Sequence, residues 1–323
     1  MIIGRENLSG YDVIGDVHGC ASSLCRLLQQ LGYREEQGAW RHPERKAVFV
    51  GDIIDRGEHI RDAMRLVRKM VDAGNAYLVL GNHEYNAVAF GCNLDEPDDS
   101  PRRRFQARMA RHLRETLQEY RHHEAEWCDT LAWLRQQPLC LEFPKFRVVH
   151  ACWDADRIDQ VRSVLDGCAL RDDDFLHDSM LRGTEPHRVV ERLLKGTDLV
   201  LPDGMTLVGA DGIERNRIRT KFWKQTPATY GDVLFQPDKL PEAWMQRALT
   251  AQDRERLLHY GRHEKALFVG HYWRQGTPKV IRDNIACLDY GAVKGGHLVA
   301  YRMGAEERLS NEQFTWVQAD DYT

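Results

Sequence analysis

The sequence predicts an α/β protein with a parallel sheet, and two observations support this. Five short apolar segments, rich in β-branched and aromatic residues, each end in polar residues, as buried strands do. Between the first three, apolar residues recur at helical spacing. Strands that alternate with helices are typical of a parallel sheet. The five segments are "YDVIGD" (11–16), "AVFVGD" (47–52), "AYLVLGN" (76–82), "FRVVHA" (146–151) and "ALFVGH" (266–271).

Three helical patterns follow the first three strands. Apolar residues three or four positions apart predict one helix after each of the first two strands. After the third strand a longer stripe covers residues 100–137 and predicts a long helix or a helical hairpin, inserted at about 92–140. The first two stripes are Leu24, Leu27, Leu28 and Leu31, then Ile60, Met64, Val67 and Val71. The third consists of Phe105, Met109, Leu113, Leu117, Tyr120, Trp127, Leu131 and Leu134.

A second insertion is expected at about 180–262. The "DG" pairs at 203–204 and 211–212 are typical of hairpin turns, and the alternation over 213–223 suits a small β-rich centre. Farther along, "NIACLDYGAVKGGHLVAYRM" (284–303) predicts two antiparallel strands joined by a glycine-rich turn. With no repeat and no clean linker, the sequence predicts a single domain over residues 1–323 with two insertions.

Composition narrows the class of protein. A formal net charge of -4 gives no indication of a nucleic-acid or membrane partner. No apolar run is long enough to cross a bilayer, and the N-terminus lacks the pattern of a secretory signal. The eight cysteines are scattered and form no C-x-x-C pair, which favours reduced thiols. We therefore expect a soluble, cytoplasmic protein.

Ionisable side chains collect where the five strands end. In open α/β sheets, loops at the carboxyl ends of the strands converge on the ligand. Any one cluster could be an ordinary polar turn, and a single histidine is more often structural than a ligand. Five such clusters in order favour one shared site. They are "GDVHG" with Asp16 and His18, "GDIIDRG" with Asp52, Asp55 and Arg56, "GNHE" with Asn82, His83 and Glu84, "VVHA" with His150, and "VGHY" with His271.

These residue types suit phosphate chemistry at a metal centre. Carboxylates, imidazoles and an amide oxygen bind divalent first-row metals without any thiolate. One carboxylate can bridge two such ions, the arrangement used on phosphate esters. Arg56 offers a planar fork that matches phosphate oxygens, and a nearby histidine could protonate a leaving oxygen.

The ordered motifs GDxHG, GDxxDRG and GNHE, followed by two single histidines, resemble the calcineurin-like metallophosphoesterases. The resemblance is to the phosphoprotein phosphatase branch, including its bacterial members and the relatives that cleave dinucleoside tetraphosphates. It implies an α/β/β/α sandwich with mixed sheets. It also implies two divalent metal ions, with manganese favoured over iron or zinc, and in-line attack by a metal-bridging hydroxide.

Carried over motif by motif, the resemblance implies a role for each site residue. His83 would be the general acid, Asp55 would orient it, and Arg56 would bind the phosphate. The metal ligands would be Asp16 and His18 on one ion, Asp52 as the bridge, and Asn82, His150 and His271 on the other.

The resemblance leaves the substrate open. Asp55 is usually missing from the symmetrical dinucleoside tetraphosphatases, so this chain leans toward the phosphatase pattern. Eukaryotic protein phosphatases carry a second phosphate-binding arginine, for which this chain offers four candidates: Arg182, Arg215, Arg217 and Arg219. We expect a phosphatase acting on phosphoproteins or small phosphate esters. The alternatives are hydrolysis of dinucleoside polyphosphates or nucleic-acid terminal phosphates and, more remotely, a non-catalytic phosphate-binding module.

Two weaker patterns stay undecided. Arginines of the helical insertion could contact an anionic substrate, although a solvated helix face is the commoner explanation because glutamates share the region. Tyr272 and Trp273 follow His271 directly, and they could pack in the core or stack on a substrate.

Overall fold

The computed structural model describes residues 1–4, 6–201, 205–208, 214–235 and 240–320. The chain divides into two compact units, Met1–Leu194 with Lys265–Thr323, and Lys195–Glu264. The first unit contains every predicted metal ligand. The predicted single domain with two insertions stays a prediction.

Strands are numbered in chain order. They are β1 (Gly10–Ile14), β2 (Arg34–Glu36), β3 (Ala39–Arg41), β4 (Arg45–Phe49), β5 (Ala76–Leu78), β6 (Cys140–Glu142), β7 (Phe146–Val149), β8 (Thr197–Val200), β9 (Leu207–Val208), β10 (Glu214–Arg215), β11 (Arg217–Thr220), β12 (Ala266–Val269), β13 (Ile285–Cys287), β14 (Asp289–Tyr290), β15 (His297–Met303) and β16 (Phe314–Gln318).

The α-helices are numbered in the same way. They are α1 (Ala21–Leu31), α2 (Ile60–Asp72), α3 (Asn82–Gly91), α4 (Pro101–His112), α5 (Arg114–Tyr120), α6 (Glu124–Leu134), α7 (Ala155–Val164), α8 (Asp173–Ser179), α9 (Glu185–Lys195), α10 (Tyr230–Val233), α11 (Glu242–Met245) and α12 (Ala251–Arg256). None of the helices in the described ranges combines the length and the apolar character needed to span a bilayer.

Two mixed sheets form the centre of the first unit. One has the strand order β14-β15-β1-β4-β5, with β16 on β15, and the other has the order β13-β12-β7-β6. Strands β1, β4 and β5 run parallel, as do β7, β12 and β13. Strands β15 and β6 are antiparallel to their neighbours β1 and β7. The expected parallel strands are therefore present, divided between two sheets.

The main hydrophobic core contains side chains from both sheets. Val13 and Val48 come from the first sheet and Val148 and Phe268 from the second, and all four are fully buried in one cluster. Each strand contributes β-branched or aromatic residues that fill this space. Helices α1 and α2 pack on the first sheet. The α/β/β/α sandwich implied by the resemblance is confirmed.

Particular residues of the sequence fix the end of helix α1 and the beginning of helix α4. Helix α1 buries Leu24, Leu27, Leu28 and Leu31 as predicted and ends at Gly32, whose φ of 93° lies in the left-handed region. Helix α4 begins after Ser100, whose side chain accepts a hydrogen bond from the N–H of Arg103.

The helical insertion consists of three helices, α4, α5 and α6, where a single helix or a hairpin was predicted. Its expected stripe is only partly buried: Phe105, Met109, Leu113, Tyr120 and Leu134 are buried, whereas Leu117, Trp127 and Leu131 are half-buried. The helical segment is interrupted at Leu113, which is the last capping residue of α4 and the first capping residue of α5.

The prediction of one antiparallel pair within 284–303 is wrong in one respect. Strand β13 runs parallel to β12 in the second sheet, and only β14 pairs with β15. The N–H of Leu288, the residue between β13 and β14, still donates to the carbonyl of Val269 in the second sheet at 2.8 Å. The chain therefore passes from one sheet to the other between β13 and β14.

The second unit has its own small core. Strands β8 and β11 pair antiparallel, as do β9 and β10. Leu199 and Ile218 from the first pair pack with Tyr230 and Val233 of α10. The β-rich centre predicted here is present and is accompanied by short helices. The predicted turns at 203–204 and 211–212 lie outside the described residues.

Candidate metallophosphoesterase site

The ends of five strands bring the predicted ionisable residues into one region of the first unit. Asp16 and His18 follow β1, Asp52, Asp55 and Arg56 follow β4, Asn82 and His83 begin α3 after β5, His150 follows β7, and His271 follows β12. Six of these nine side chains are buried, an unusual environment for so many ionisable groups, whereas Asn82 and His271 are half-buried and Arg56 is exposed.

Asp52 occupies the centre of this cluster. Its Oδ2 lies 3.3 Å from Nε2 of His150, 3.6 Å from Nε2 of His18 and 3.8 Å from Nε2 of His83. Two sets of three ligand atoms, each set within 4.8 Å, share this carboxylate: His18, Asp52 and His83 in one, Asp52, His150 and His271 in the other. A carboxylate common to two sets has the placement that a bridging ligand needs.

Backbone carbonyls orient two of the imidazoles. Nδ1 of His18 lies 3.0 Å from the carbonyl oxygen of Ile54, and Nδ1 of His150 lies 2.8 Å from that of Val50. A carbonyl only accepts, so each Nδ1 carries the proton and each Nε2 faces the cluster. This is how metal-binding histidines are usually held.

The Nδ1 atom of His83 faces a carboxylate, whereas the Nδ1 atoms of His18 and His150 face carbonyls. Nδ1 of His83 lies 2.6 Å from Oδ2 of Asp55. Thr116 holds that carboxylate from the other side: its hydroxyl donates to Oδ1 of Asp55 and also accepts from the N–H of Asp55 at 3.2 Å. Asp55 is fully buried, so the carboxylate and the imidazole are fixed relative to each other.

Arg56 spans two of the imidazoles. Its Nη1 lies 3.1 Å from Nε2 of His18, and its Nη2 lies 3.0 Å from Nε2 of His83. A guanidinium only donates, so both ring nitrogens accept. The guanidinium of Arg56 and the carboxylate of Asp52 therefore lie near the same two ring nitrogens.

Glu84 organises the loops that carry the site. Its carboxylate accepts hydrogen bonds from the N–H groups of Asp52 at 2.7 Å, Ile53 at 2.7 Å, Ile54 at 3.2 Å and Gly81 at 2.9 Å. Glu84 is fully buried and belongs to the first turn of α3. One side chain thus fixes the turns after β4 and β5 together.

Backbone strain is concentrated in the same loops. Seven described residues other than glycine have a positive φ, and five of them are site residues. A positive φ is unfavourable for a residue with a Cβ and persists where the surroundings enforce it. The five are His18 (φ 45°), Asp52 (52°), Asp55 (69°), Arg56 (74°) and His271 (58°).

A comparison with known families assigns this arrangement. The sequence model of the family "Calcineurin-like phosphoesterase" matches residues 11–271, which include every predicted metal ligand. The chain belongs to the calcineurin-like phosphoesterases.

Two curated relatives of this phosphoesterase are bis(5'-nucleosyl)-tetraphosphatases. The PrpE [asymmetrical] protein of Halalkalibacterium halodurans is 49% identical over 74 residues, which cover 23% of this chain and 30% of that protein. The symmetrical protein of Marinomonas sp. is 26% identical over 312 residues, covering 92% of this chain and 95% of that protein. With several of these relatives, similarity extends over only about 30% of their length.

Among solved structures, a protein serine/threonine phosphatase from Saccharomyces cerevisiae has the same fold. The two align with a TM-score of 0.50 and 13% sequence identity, covering 100% of this chain and 84% of that chain. At this identity the likeness concerns the fold alone.

The surroundings shift the pKa values of the two central carboxylates, Asp16 and Asp52, in opposite directions. Burial, with the nearby charge of Asp289, raises the pKa of Asp16 well above its usual range. Burial alone would also raise the pKa of Asp52, but the charges of His150 and His83 outweigh it and lower that pKa far below its usual range. Asp52 is thus the ionised centre of the cluster.

The pKa values of two imidazoles of the site, His18 and His150, are also shifted in opposite directions. Burial and the charge of Arg56 lower the pKa of His18 well below its usual range. Burial would do the same to His150, but the charge and the hydrogen bond of Asp52 raise its pKa to about 10. The protein environment therefore keeps His18 neutral and ready to act as a ligand, while His150 forms an ion pair with Asp52.

The residues present fit divalent metal ions. Oδ1 of Asp16 is buried and has no hydrogen-bond partner in the described parts of the chain, although Oδ2 accepts from the N–H of His271 at 3.2 Å. A buried carboxylate oxygen without a donor is costly unless a cation satisfies it. Asn82 adds a neutral oxygen, with Oδ1 3.2 Å from Nε2 of His150. The donor set of oxygens and imidazoles suits manganese, iron or zinc.

The four candidate arginines for a second phosphate contact stay predictions. Arg182 is exposed, in the turn after α8. Arg215, Arg217 and Arg219 lie in the second unit, where Arg217 forms an ion pair with Asp198. Of the two aromatic residues after His271, Tyr272 is fully buried and Trp273 is half-buried beneath Lys294, whose Nζ lies 4.2 Å from the ring centroid.

Three residues of the site had no role in the sequence-based prediction: Glu84, Thr116 and Asp289. A glutamate in the first turn of α3, within "GNHE", is a recognisable capping signal that could have identified Glu84. Thr116 has no local signal, because its partner Asp55 is 61 positions away. Asp289 is buried, and burial raises its pKa; it follows β13 at the edge of the site.

Proposed function

We propose that this phosphoesterase hydrolyses phosphate monoesters with poor leaving groups, such as phosphoserine and phosphothreonine or small alkyl phosphates. The observation that carries the proposal is the 2.6 Å contact between Nδ1 of His83 and Oδ2 of Asp55. An alkoxide leaves slowly unless it is protonated, so a buried acid pair is most useful for such esters.

The chain would hold two divalent ions, with manganese as our proposal. Asp16 and His18 would bind one ion, Asn82, His150 and His271 the other, and Asp52 would contact both. When bound, such ions polarise the phosphoryl group and lower the pKa of water, so that hydroxide is available at neutral pH.

The other side chains have tasks of their own in this proposal. Arg56 would move its fork from the two imidazoles to the phosphoryl oxygens and neutralise charge there in the transition state. His83, released from Arg56, would donate from Nε2 to the leaving oxygen. Asp55 would hold Nδ1 and stabilise the charged imidazolium before the transfer.

Hydrolysis of dinucleoside polyphosphates is the second candidate. It is supported by the Marinomonas relative, which carries the name of a symmetrical tetraphosphatase and aligns over 92% of this chain. A nucleotide leaving group needs little protonation, so such a reaction would depend less on His83.

A panel of substrates distinguishes monoester hydrolysis from hydrolysis of dinucleoside polyphosphates. The manganese-loaded protein is incubated with phosphoserine and phosphothreonine peptides, p-nitrophenyl phosphate and diadenosine tetraphosphate, and kcat/KM is measured for each. Asp52→Ala supplies the background rate. We expect the highest kcat/KM on a monoester. A value at least about tenfold higher on diadenosine tetraphosphate contradicts the proposal and supports the second candidate.

A further inference from the structure

One short helix of the helical insertion contacts both ends of the segment "DRGEHI" (55–60), called here the DRG segment, which leads into α2. This segment carries Asp55 and Arg56 of the phosphoesterase site. Helix α5 has only seven residues, and it reaches the DRG segment through Thr116 and Glu119. Residues three positions apart lie on the same face of a helix, so both side chains can reach one partner segment.

At the first end of the DRG segment, Thr116 holds Asp55. Thr116 is fully buried, and its hydroxyl donates to Oδ1 of Asp55 and accepts from the N–H of the same residue at 3.2 Å. The other carboxylate oxygen, Oδ2, is left for Nδ1 of His83 at 2.6 Å. Asp55 has a φ of 69°, which a residue with a Cβ keeps only where its surroundings enforce it. The hydroxyl thus fixes both the backbone and the carboxylate of the residue that orients His83.

At the other end, Glu119 holds the first turn of α2. Its Oε1 accepts from the N–H of Ile60 at 2.9 Å, and its Oε2 accepts from the N–H of Arg61 at 2.9 Å. The N-cap residue His59 makes no side-chain capping bond, so a carboxylate from the insertion caps this helix. Helix α6 adds a second attachment, since Oε2 of Glu126 lies 2.9 Å from Nε of Arg61.

Between these two ends the DRG segment packs against the turn after β1. A Cβ at Gly57 would lie 2.2 Å from the carbonyl oxygen of His18, so the two backbones touch. The N–H of His59 donates to the carbonyl of Gly19 at 3.2 Å. Arg56 directly precedes Gly57, so its backbone is enclosed between the insertion and this turn.

We propose that α5 is a positioning element of the phosphoesterase site, in which Thr116 positions the acid pair and Glu119 positions the segment that carries Arg56. The inference rests on the proposed function, in which His83 is the general acid and Arg56 binds phosphate. Thr116 acts through Asp55, and Glu119 acts through the backbone of α2. The insertion thus serves the reaction by fixing the geometry of the site, without contacting the substrate through its arginines.

The hydroxyl of Thr116 is tested by a matched set of variants. Thr116→Val removes the hydroxyl and keeps the shape, Thr116→Ser keeps the hydroxyl, and Thr116→Ala replaces the valine variant if that protein fails to fold. With manganese-loaded protein, kcat is measured on a phosphoserine peptide and on p-nitrophenyl phosphate. We expect the ratio of aryl to alkyl kcat to rise about tenfold or more without the hydroxyl, because only the alkyl ester needs the proton. KM, metal content and the Thr116→Ser ratio should stay within about twofold of wild type. An unchanged ratio without the hydroxyl overturns the role of Thr116.

Glu119→Gln tests the other end of the DRG segment. The amide would direct an NH₂ group at one of the two N–H donors, so the first turn of α2 should shift. We expect KM to rise about threefold to tenfold on both substrates while the ratio of aryl to alkyl kcat stays unchanged, because Arg56 moves and the acid pair does not. Glu115→Gln is the control on the same helix, since that carboxylate pairs with exposed Arg114. An unchanged KM in Glu119→Gln overturns the role of Glu119.

Histidine NMR separates failure of this inference from failure of the proposed function. The metal-free protein is labelled with a nitrogen isotope at histidine, and the ring signals of His83 are assigned by their loss in His83→Ala. We expect these signals to shift in Thr116→Val and to stay in place in Thr116→Ser, whichever ester the protein cleaves. Ring signals that do not move in Thr116→Val overturn the positioning role. Equal kcat losses on alkyl and aryl substrates in His83→Ala contradict the proposed function instead.

Discussion

Asp55 holds His83 through a 2.6 Å contact between Oδ2 and Nδ1, and it is itself hydrogen-bonded to the hydroxyl of Thr116. The imidazole, the carboxylate and the hydroxyl come from α3, the loop after β4 and α5. Three separate parts of the chain thus determine which ring nitrogen of His83 faces the phosphate site.

Replacing His83 with alanine should lower kcat according to the leaving group. Without the acid, alkyl phosphates should lose about 10²–10⁴-fold in kcat and aryl phosphates much less, because an aryl oxide leaves without a proton. Metal content should stay near that of the wild-type protein. Asp55→Asn should give the same ordering with a smaller loss. Equal losses on alkyl and aryl substrates would refute the acid role of His83.

Asp52→Ala should abolish turnover and weaken metal binding together. The carboxylate lies within 3.3–3.8 Å of three imidazole nitrogens, so no other described side chain can replace it in both sets of ligands. Metal content is measured by elemental analysis after gel filtration. Arg56→Lys is the matched control in the same loop, since it leaves every proposed ligand in place and should affect KM and kcat with metals retained. A fully metallated Asp52→Ala protein would exclude the bridging role.

Glu84→Gln should destabilise the fold as well as the site. The carboxylate accepts four backbone hydrogen bonds, and a Gln amide would direct an NH₂ group at N–H donors. We expect a loss of about 2–4 kcal/mol in the free energy of unfolding of the first unit. A thermal melt of the metal-free protein measures this. Exposed Glu124→Gln is the control, and equal melting temperatures for the two variants would contradict this role of Glu84.

The sequence predicted the cluster of ionisable residues at the strand ends better than the supports around it. Asp16, His18 and Asp52 follow strands within a few residues, so local pattern and strand order place them together. Thr116 reaches Asp55 only because the helical insertion breaks at Leu113 and starts α5. A contact between segments 61 positions apart depends on tertiary packing, which no periodicity encodes. For the same reason periodicity showed the parallel strands but not their division between two sheets.

Gly270→Ala should displace Asp16 and weaken metal binding. A Cβ at this position would lie 2.0 Å from Oδ1 of Asp16 and 2.9 Å from Cγ2 of Val50, so the carboxylate would have to move. We expect the metal dissociation constant to rise about 10–100-fold, measured by calorimetry with Mn²⁺. Gly4→Ala, where a Cβ would meet nothing within 4 Å, is the control. An unchanged affinity would show that Oδ1 of Asp16 is not a ligand.

Glu142 should make stability fall in acid, independently of the metal cluster. Burial alone would raise the pKa of this carboxyl, but hydrogen bonds from Arg162, Arg147 and Lys265 outweigh it and lower the pKa to about 2, from an ordinary value of 4.5. A carboxylate with a depressed pKa stabilises the fold above its unfolded-state pKa, and that stabilisation is lost as the pH falls from about 4.5 to about 2. We expect this carboxylate to contribute about 1–2 kcal/mol to the free energy of unfolding after allowance for solvent screening.

Melting temperatures of the wild-type and Glu142→Gln proteins should therefore converge as the pH falls. They are measured without metal, between pH 7 and the lowest pH at which both proteins fold. Exposed Glu255→Gln should stay parallel to the wild-type protein, and a constant difference for Glu142→Gln would show that its charge is not responsible.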